Sequence, residues 1–205
     1  MIRPSAAEDP NFETVRVWDP LIRLFHWALA LCVIVAWILG KYGPDVMTLH
    51  FYFGYAVLGL LAFRLLWGLV GPANVRVASF VYGPVTVLVY LRQMFRRQPT
   101  YRLGHNPIGG FFALVLLTVL MVHAVAGLFV DPEDYINVGP LAHLVSDSLN
   151  RKALYWHNTL SWYVLGLAAL HVAAIAFYAL WKREDLVRPM ITGRKQVPKG
   201  AAPHN

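Results

Sequence analysis

The sequence predicts an all-α fold: an integral membrane four-helix bundle with both termini in the cytoplasm. Three observations predict it. Four apolar runs, each near the ~20 residues that a bilayer core requires, punctuate a chain that is 58% hydrophobic and only 14% charged. Soluble domains carry about 25% charged residues. The basic residues are divided unequally among the connections: fourteen lie on the N-terminal arm, the second connection and the tail, and three on the other two loops. By the positive-inside rule the richer side is cytoplasmic. Finally, histidines stand inside the apolar runs, where an ionisable side chain is costly and marks function.

Residues 1–20 form a polar arm that ends in Trp18, Asp19 and Pro20. Asp19 suits a helix cap and Pro20 a first helical turn. The bundle occupies residues 21–181. Its first span runs from Leu21 to Gly40, with His26 two turns in. The second runs from Leu49 to Val70, with His50 at its start and Arg64 towards its end, and Gly71-Pro72 stops it. The connection 71–107 holds five arginines and no acid. Its middle, Val81 to Met94, suits a short helix on the membrane surface. The third span runs from Ile108 to Val130, and the loop from Asp131 to Trp156 holds a short helix near Leu141–Leu149. The fourth span runs from His157 to Trp181. Residues 182–205 are a basic cytoplasmic tail, expected to be disordered after Lys195.

The fourth span carries His157 and His171, fourteen residues apart. At 100° and ~1.5 Å per residue they share a face, ~21 Å apart along the axis. Two such residues at opposite ends of one span suggest two stacked sites of one kind, and paired imidazoles suit haem iron. Depth selects the partners. His26 and His171 both lie in the cytoplasmic half, and His50 and His157 both lie on the periplasmic side. Imidazoles on both faces of each iron leave no open position, which suits electron transfer.

Other residues bear on these sites. Gly54 is one turn after His50 on the same face, where a missing side chain lets a porphyrin approach; glycine is also common at membrane helix contacts. Arg64, fourteen residues after His50, falls near the cytoplasmic-side site, where it can pair with a haem propionate or snorkel to headgroups. His123 lies at periplasmic depth and competes as a ligand. His143 falls in a periplasmic loop, and His105 and His204 read as solvated. The single Cys32 excludes a disulfide framework and cysteine-rich metal sites. The net charge of +7 follows membrane topology, so the partners are lipid rather than nucleic acid. A proton path or a metal transporter is the alternative that four intramembrane histidines leave open.

Residues 17–27 (VWDPLIRLFHW), Leu49-His50 with Gly54-Tyr55, 104–107 (GHNP), the His157/His171 pair and 184–194 (EDLVRPMITGR) together resemble the bacterial cytochrome b-561 and nickel–iron hydrogenase cytochrome b family. The resemblance covers the chain from about Arg16 to Lys195. It implies a four-helix inner-membrane cytochrome with two haem b groups, held by one histidine on the first helix, one on the second and two on the fourth. These fall on His26, His50, His157 and His171. Members exchange electrons between the quinone pool and a partner such as a hydrogenase, a c-type cytochrome or another periplasmic redox protein, and one branch oxidises superoxide with quinone as acceptor. The periplasmic side here has three cations against five acids, a net of −2. An acidic mouth repels superoxide and attracts a basic protein.

Overall fold

The computed structural model describes residues 11–79 and 81–200. Four helices are long and apolar enough to cross a membrane: α1 (Pro20–Tyr42), α2 (Thr48–Val70), α4 (Pro107–Gly127) and α5 (Asp147–Leu180). A fifth, α3 (Pro84–Gln93), is the short helix expected in the second connection, and a one-and-a-half-turn helix, α6 (Val187–Thr192), follows α5. The caps work as the sequence indicates. Asp19 Oδ1 accepts from the amides of Leu21 and Ile22 at 2.9 and 3.0 Å, with Pro20 in the first turn. Asn106 Oδ1 accepts from Gly109 N at 2.7 Å and starts α4 before Pro107.

Each helix buries a narrow heptad stripe and leaves the rest to lipid. On α2 the buried residues are Val57, Leu61, Arg64 and Gly68, which continue the row begun by His50 and Gly54. On α5 they include Asn150, Val164 and Tyr178, and His157 and His171 complete that seven-residue repeat. The outward faces carry large apolar side chains such as Leu24, Leu31 and Ile34, all more than half exposed. That pattern is inside-out for water and correct for a bilayer, where neighbouring helices gain from close packing rather than from burial. Backbone packing joins α1 to α2, α4 to α5 and α2 to α4. The core along the α2–α4–α5 seam is Val57, Leu61, Leu120 and Val164.

Two features differ from the sequence reading. The helix of the fourth span begins at Asp147, ten residues before His157, and reaches 34 residues, about 51 Å at 1.5 Å per residue. Its first turns are polar, so hydropathy does not extend the span, yet Asn150 and Ala153 keep the buried stripe. Asn150 donates to Ala142 O at 3.2 Å. The proposed short helix at Leu141–Leu149 is replaced by a 3-10 turn, Ala142–Leu144, and this helical extension. The tail is the second case. It does not become irregular at Lys195, because Arg194–Pro198 forms a strand, β2, antiparallel to β1 (Phe12–Arg16) of the arm. Gly193, at φ +78°, provides the left-handed residue that ends α6 and turns the chain into β2. The carbonyl of Gly193 accepts from Val17 N at 2.8 Å. The first and last described segments therefore lie at one end of the bundle, the terminal end; the loops 43–47 and 128–146 form the opposite, hairpin end.

Candidate functional site

Four histidines meet in two pairs between the helix hairpins. At the terminal end His26 of α1 faces His171 of α5, with ring centroids 6.3 Å apart and planes at 51°. At the hairpin end His50 of α2 faces His157 of α5, at 6.0 Å and 88°. The pairing inferred from depth is the one that the structure places in contact. The fourteen-residue spacing on α5 is what makes one helix contribute to both.

The hairpin-end pair borders a cavity of about 250 Å³, lined by His50, Gly54, His123, Gly127, His157 and Ser161 among others. A Cβ built on Gly54 would meet nothing within 4 Å, so this glycine opens onto free space beside the pair. His50 Nδ1 lies 2.9 Å from Ala36 O and His157 Nδ1 lies 2.9 Å from His123 O. A carbonyl can only accept, so each Nδ1 carries the proton. That fixes the tautomer and leaves each Nε2 as a free lone pair, the form that ligates metal.

His123 has a different place from the one its depth suggests. Its ring stacks on His157 with centroids 4.2 Å apart and planes 8° from parallel. A metal has no room between rings in that arrangement. His123 contributes its backbone carbonyl to His157 and a flat surface to the ring. His143 is exposed at the hairpin end. There Asn137 ties the two loops together: its side chain donates to Asp45 O at 2.8 Å and accepts from Met47 N at 2.9 Å. Amides from Asn137 and Ile136 point at Asp134 and hold its carboxyl below the ordinary range.

The terminal-end pair is built from other parts. His26 Nδ1 is buried without a hydrogen-bond partner among the described residues. Phe112 of α4 lies parallel to His171, at 6.1 Å and 7°. Arg64 is buried one helix away and donates from Nη2 to Val75 O at 3.1 Å. Gly68 leaves room there: a Cβ at that position would sit 2.8 Å from Val77 Cγ2 and 2.9 Å from Arg64 Nη1. Arg23 donates to Ile191 O of α6.

His105 corrects its solvated reading. It packs edge-on against Trp18 at 5.1 Å. Burial, aided by the charge of Arg64, pushes its imidazole down to about 4, so it is neutral at physiological pH. His204 lies outside the described residues. A polar network near this end was not legible in the sequence: Tyr90 and Tyr178 hydroxyls are 2.9 Å apart, and Asn106 Nδ2 donates to Tyr178 at 2.9 Å. Beside it Glu184 accepts from Lys195 at 2.6 Å and from Thr100 N and Oγ1 at 2.9 and 2.8 Å. The heptad position of Tyr178, seven residues after His171, is the one signal that could have found the tyrosine pair.

Sequence reasoning also missed Gly40 and Gly127. A Cβ at Gly40 would fall 3.0 Å from His50 Cε1, and one at Gly127 would fall 2.8 Å from His157 Cε1. The two rings therefore rest directly on helix backbone.

The model of the prokaryotic cytochrome b561 family matches residues 17–193. Among curated proteins the chain is similar to the probable Ni/Fe-hydrogenase 1 B-type cytochrome subunit of Escherichia coli (strain K12), with 25% identity covering 83% of each chain. It is similar to the probable Ni/Fe-hydrogenase B-type cytochrome subunit of Bradyrhizobium diazoefficiens, with 22% identity over 89% of this chain and 86% of that one. The corresponding subunit of Azotobacter chroococcum mcd 1 shares 22% identity over 87% of both chains. No solved structure matches significantly. With four apolar helices, a family match over nearly its whole length and facing imidazoles inside the bundle, the chain belongs to the prokaryotic cytochrome b561 family: it is a multi-pass, b-type electron-transport cytochrome of the bacterial inner membrane.

Proposed function

We propose that the protein binds two haem b groups, one between His26 and His171 and one between His50 and His157. It passes electrons through them between the quinone pool and a periplasmic redox protein. The observation that carries this reading is the spacing of the two pairs. Imidazoles bonded to one metal at about 2 Å, with about 1 Å more from nitrogen to ring centre, have centroids about 6 Å apart on opposite sides of it. The pairs stand at 6.3 and 6.0 Å. Two protein ligands per site suit an iron whose other positions a porphyrin fills. They suit a transporter or structural metal poorly, since that usually takes three or four protein ligands, and no cluster of three ligating side chains occurs among the described residues. The open space at Gly54 and the proton fixed on Nδ1 of His50 and His157 agree with haem at the hairpin end. The buried, unpartnered Nδ1 of His26 is a polar atom whose ring needs another reason to be inside.

When bound, haem supplies a one-electron Fe(III)/Fe(II) couple. The chain's residues do the rest. The imidazoles would hold the iron from two sides, the apolar helices exclude water, and Arg64 provides a buried positive charge suited to a propionate. The two sites lie ~21 Å apart along α5, so together they carry charge across the bilayer. By the positive-inside rule the basic terminal end supports a cytoplasmic position for both termini. The hairpin end is then periplasmic, and its acidic balance suits a basic surface such as that of a c-type cytochrome. The names of the similar proteins favour a hydrogenase as the partner. The test is a reduced-minus-oxidised spectrum of the purified protein with haem extracted and counted. Two non-covalent low-spin b haems per chain are expected. A folded protein without haem would overturn the reading.

A further inference from the structure

The side chain of a helical residue leans towards the N-terminus and covers the turn before its own Cα. A glycine therefore uncovers the carbonyl four residues earlier. Gly40 uncovers Ala36 O and Gly127 uncovers His123 O, and these are the two carbonyls to which Nδ1 of His50 and His157 donate, each at 2.9 Å. The same construction occurs twice, on α1 for one ring and on α4 for the other. In both, the ring lies where a methyl would stand: 3.0 and 3.1 Å from Cε1 and Nδ1 of His50 at Gly40, and 2.8 and 3.0 Å from those of His157 at Gly127. The glycines Gly59 and Gly166 of α2 and α5 have open space instead.

From this geometry we infer that Gly40 and Gly127 are positioning residues. They seat the two hairpin-end imidazoles on helix carbonyls and so set the electron-donating strength of both ligands to that iron. The inference rests on the haem assignment proposed above. An Nδ1 proton given to a carbonyl makes the opposite nitrogen more basic. A more basic pair of ligands favours Fe(III) over Fe(II) and lowers the potential of that haem. His26 at the other end has no such bond. The seats would therefore bias the hairpin-end haem towards the lower potential of the two.

The experiment is a spectroscopic redox titration of the purified, haem-loaded membrane protein in four single variants. Gly40→Ala and Gly127→Ala fill the seats; Gly59→Ala and Gly166→Ala add the same methyl to helices at open positions. A wild-type protein with fewer than two haems would sink the haem assignment, independently of the glycines. With two haems present, each seat variant should shift the lower-potential haem alone towards Fe(II). The expected change is up to about tenfold at fixed potential, or about 60 mV at 59 mV per tenfold for one electron. Selective loss of that haem in a seat variant, with both haems kept in the controls, also supports the assignment. Seat variants that titrate like wild type, or controls that shift equally, would overturn it.

Discussion

The two histidine pairs use the same donor atoms and are held by opposite means. At the hairpin end, both rings are bonded to main-chain carbonyls and His157 is stacked on a third histidine, beside a cavity. At the terminal end, His171 lies parallel to Phe112, Nδ1 of His26 has no hydrogen-bond partner among the described residues, and the same end of the bundle holds buried Arg64 and a cap of charged and hydroxyl-bearing side chains. Backbone carbonyls cannot be mutated away, whereas side-chain supports can. Ligand geometry is therefore set by main chain at one end and by packing and the cap at the other. The comparison shows that a matched pair of ligands does not imply a matched pair of environments, and environment is the lever by which a protein separates the potentials of identical cofactors.

Removing a ligand breaks the comparison most strongly. His157→Ala and His171→Ala are each expected to lose one haem and keep the other; a chain that retains both in either variant would remove the ligand assignment. Gly54→Leu should come next. Its side chain would enter the free space beside His50, so extracted haem should fall towards one per chain, while Gly54→Leu with full haem would show that the porphyrin lies elsewhere. The cap gives a smaller effect, on stability. Glu184→Ala removes the carboxylate, 5% exposed, from Lys195, which is 11% exposed and is left with the carbonyl of Arg102. Breaking such a buried pair costs about 3 kcal/mol or more, which should loosen β1 and β2 in hydrogen exchange while hairpin-end haem content stays unchanged. The least effect is expected from His123→Phe. The stack on His157 is kept and the bonding carbonyl belongs to the main chain, so both haems should remain; loss of the hairpin-end haem would make His123 a ligand after all.

Acidification separates the ends without mutation. Burial pushes the Glu184 carboxyl up, but Lys195 and the bonds from Thr100 outweigh it and hold the group below its ordinary value of 4.5. A carboxylate lowered on folding contributes stability above its unfolded value and loses it as the pH falls through the folded value. The protection of the β1–β2 amides, measured as exchange relative to the unfolded chain at the same pH, should therefore be constant near neutrality and fall on acidification below about pH 4.5. Protection in the sheet that is unchanged down to pH 3 would show that the pair does not hold the cap.

Much of the bundle is legible in the sequence because apolar length, caps and charge asymmetry are local or additive signals. The starts of α1 and α4 follow from Asp19-Pro20 and Asn106-Pro107. The pairing of His26 with His171 and His50 with His157 is suggested by helical rise together with the alternating direction of the spans, while depth by itself leaves His123 as a competitor. The extra turns of α5 escape a hydropathy reading because their residues are polar and still helical. The β1–β2 pairing escapes because two short, charged strands at opposite ends of a chain carry no mutual signal. His105 looks solvated because its neighbours in sequence are a glycine and an asparagine, while Trp18, which shields it, is far away in the chain. Gly40 and Gly127 are the subtlest case. A glycine in a membrane helix is unremarked, and its meaning depends on which ring arrives from another helix.

The strand pairing of Phe12–Arg16 with Arg194–Pro198 has a consequence for the order of assembly. The first strand leaves the ribosome long before its partner exists, and it must wait through the insertion of every span. Closing a loop of that length is slow and entropically expensive in a free chain, but the inserted bundle has already brought the two ends together. The sheet should thus be the last element to form during biosynthesis, a latch that closes only on a completely threaded chain. A product truncated before Arg194 would keep all four spans and leave its N-terminal strand as an open edge, the kind of exposed backbone that quality-control proteases and chaperones recognise.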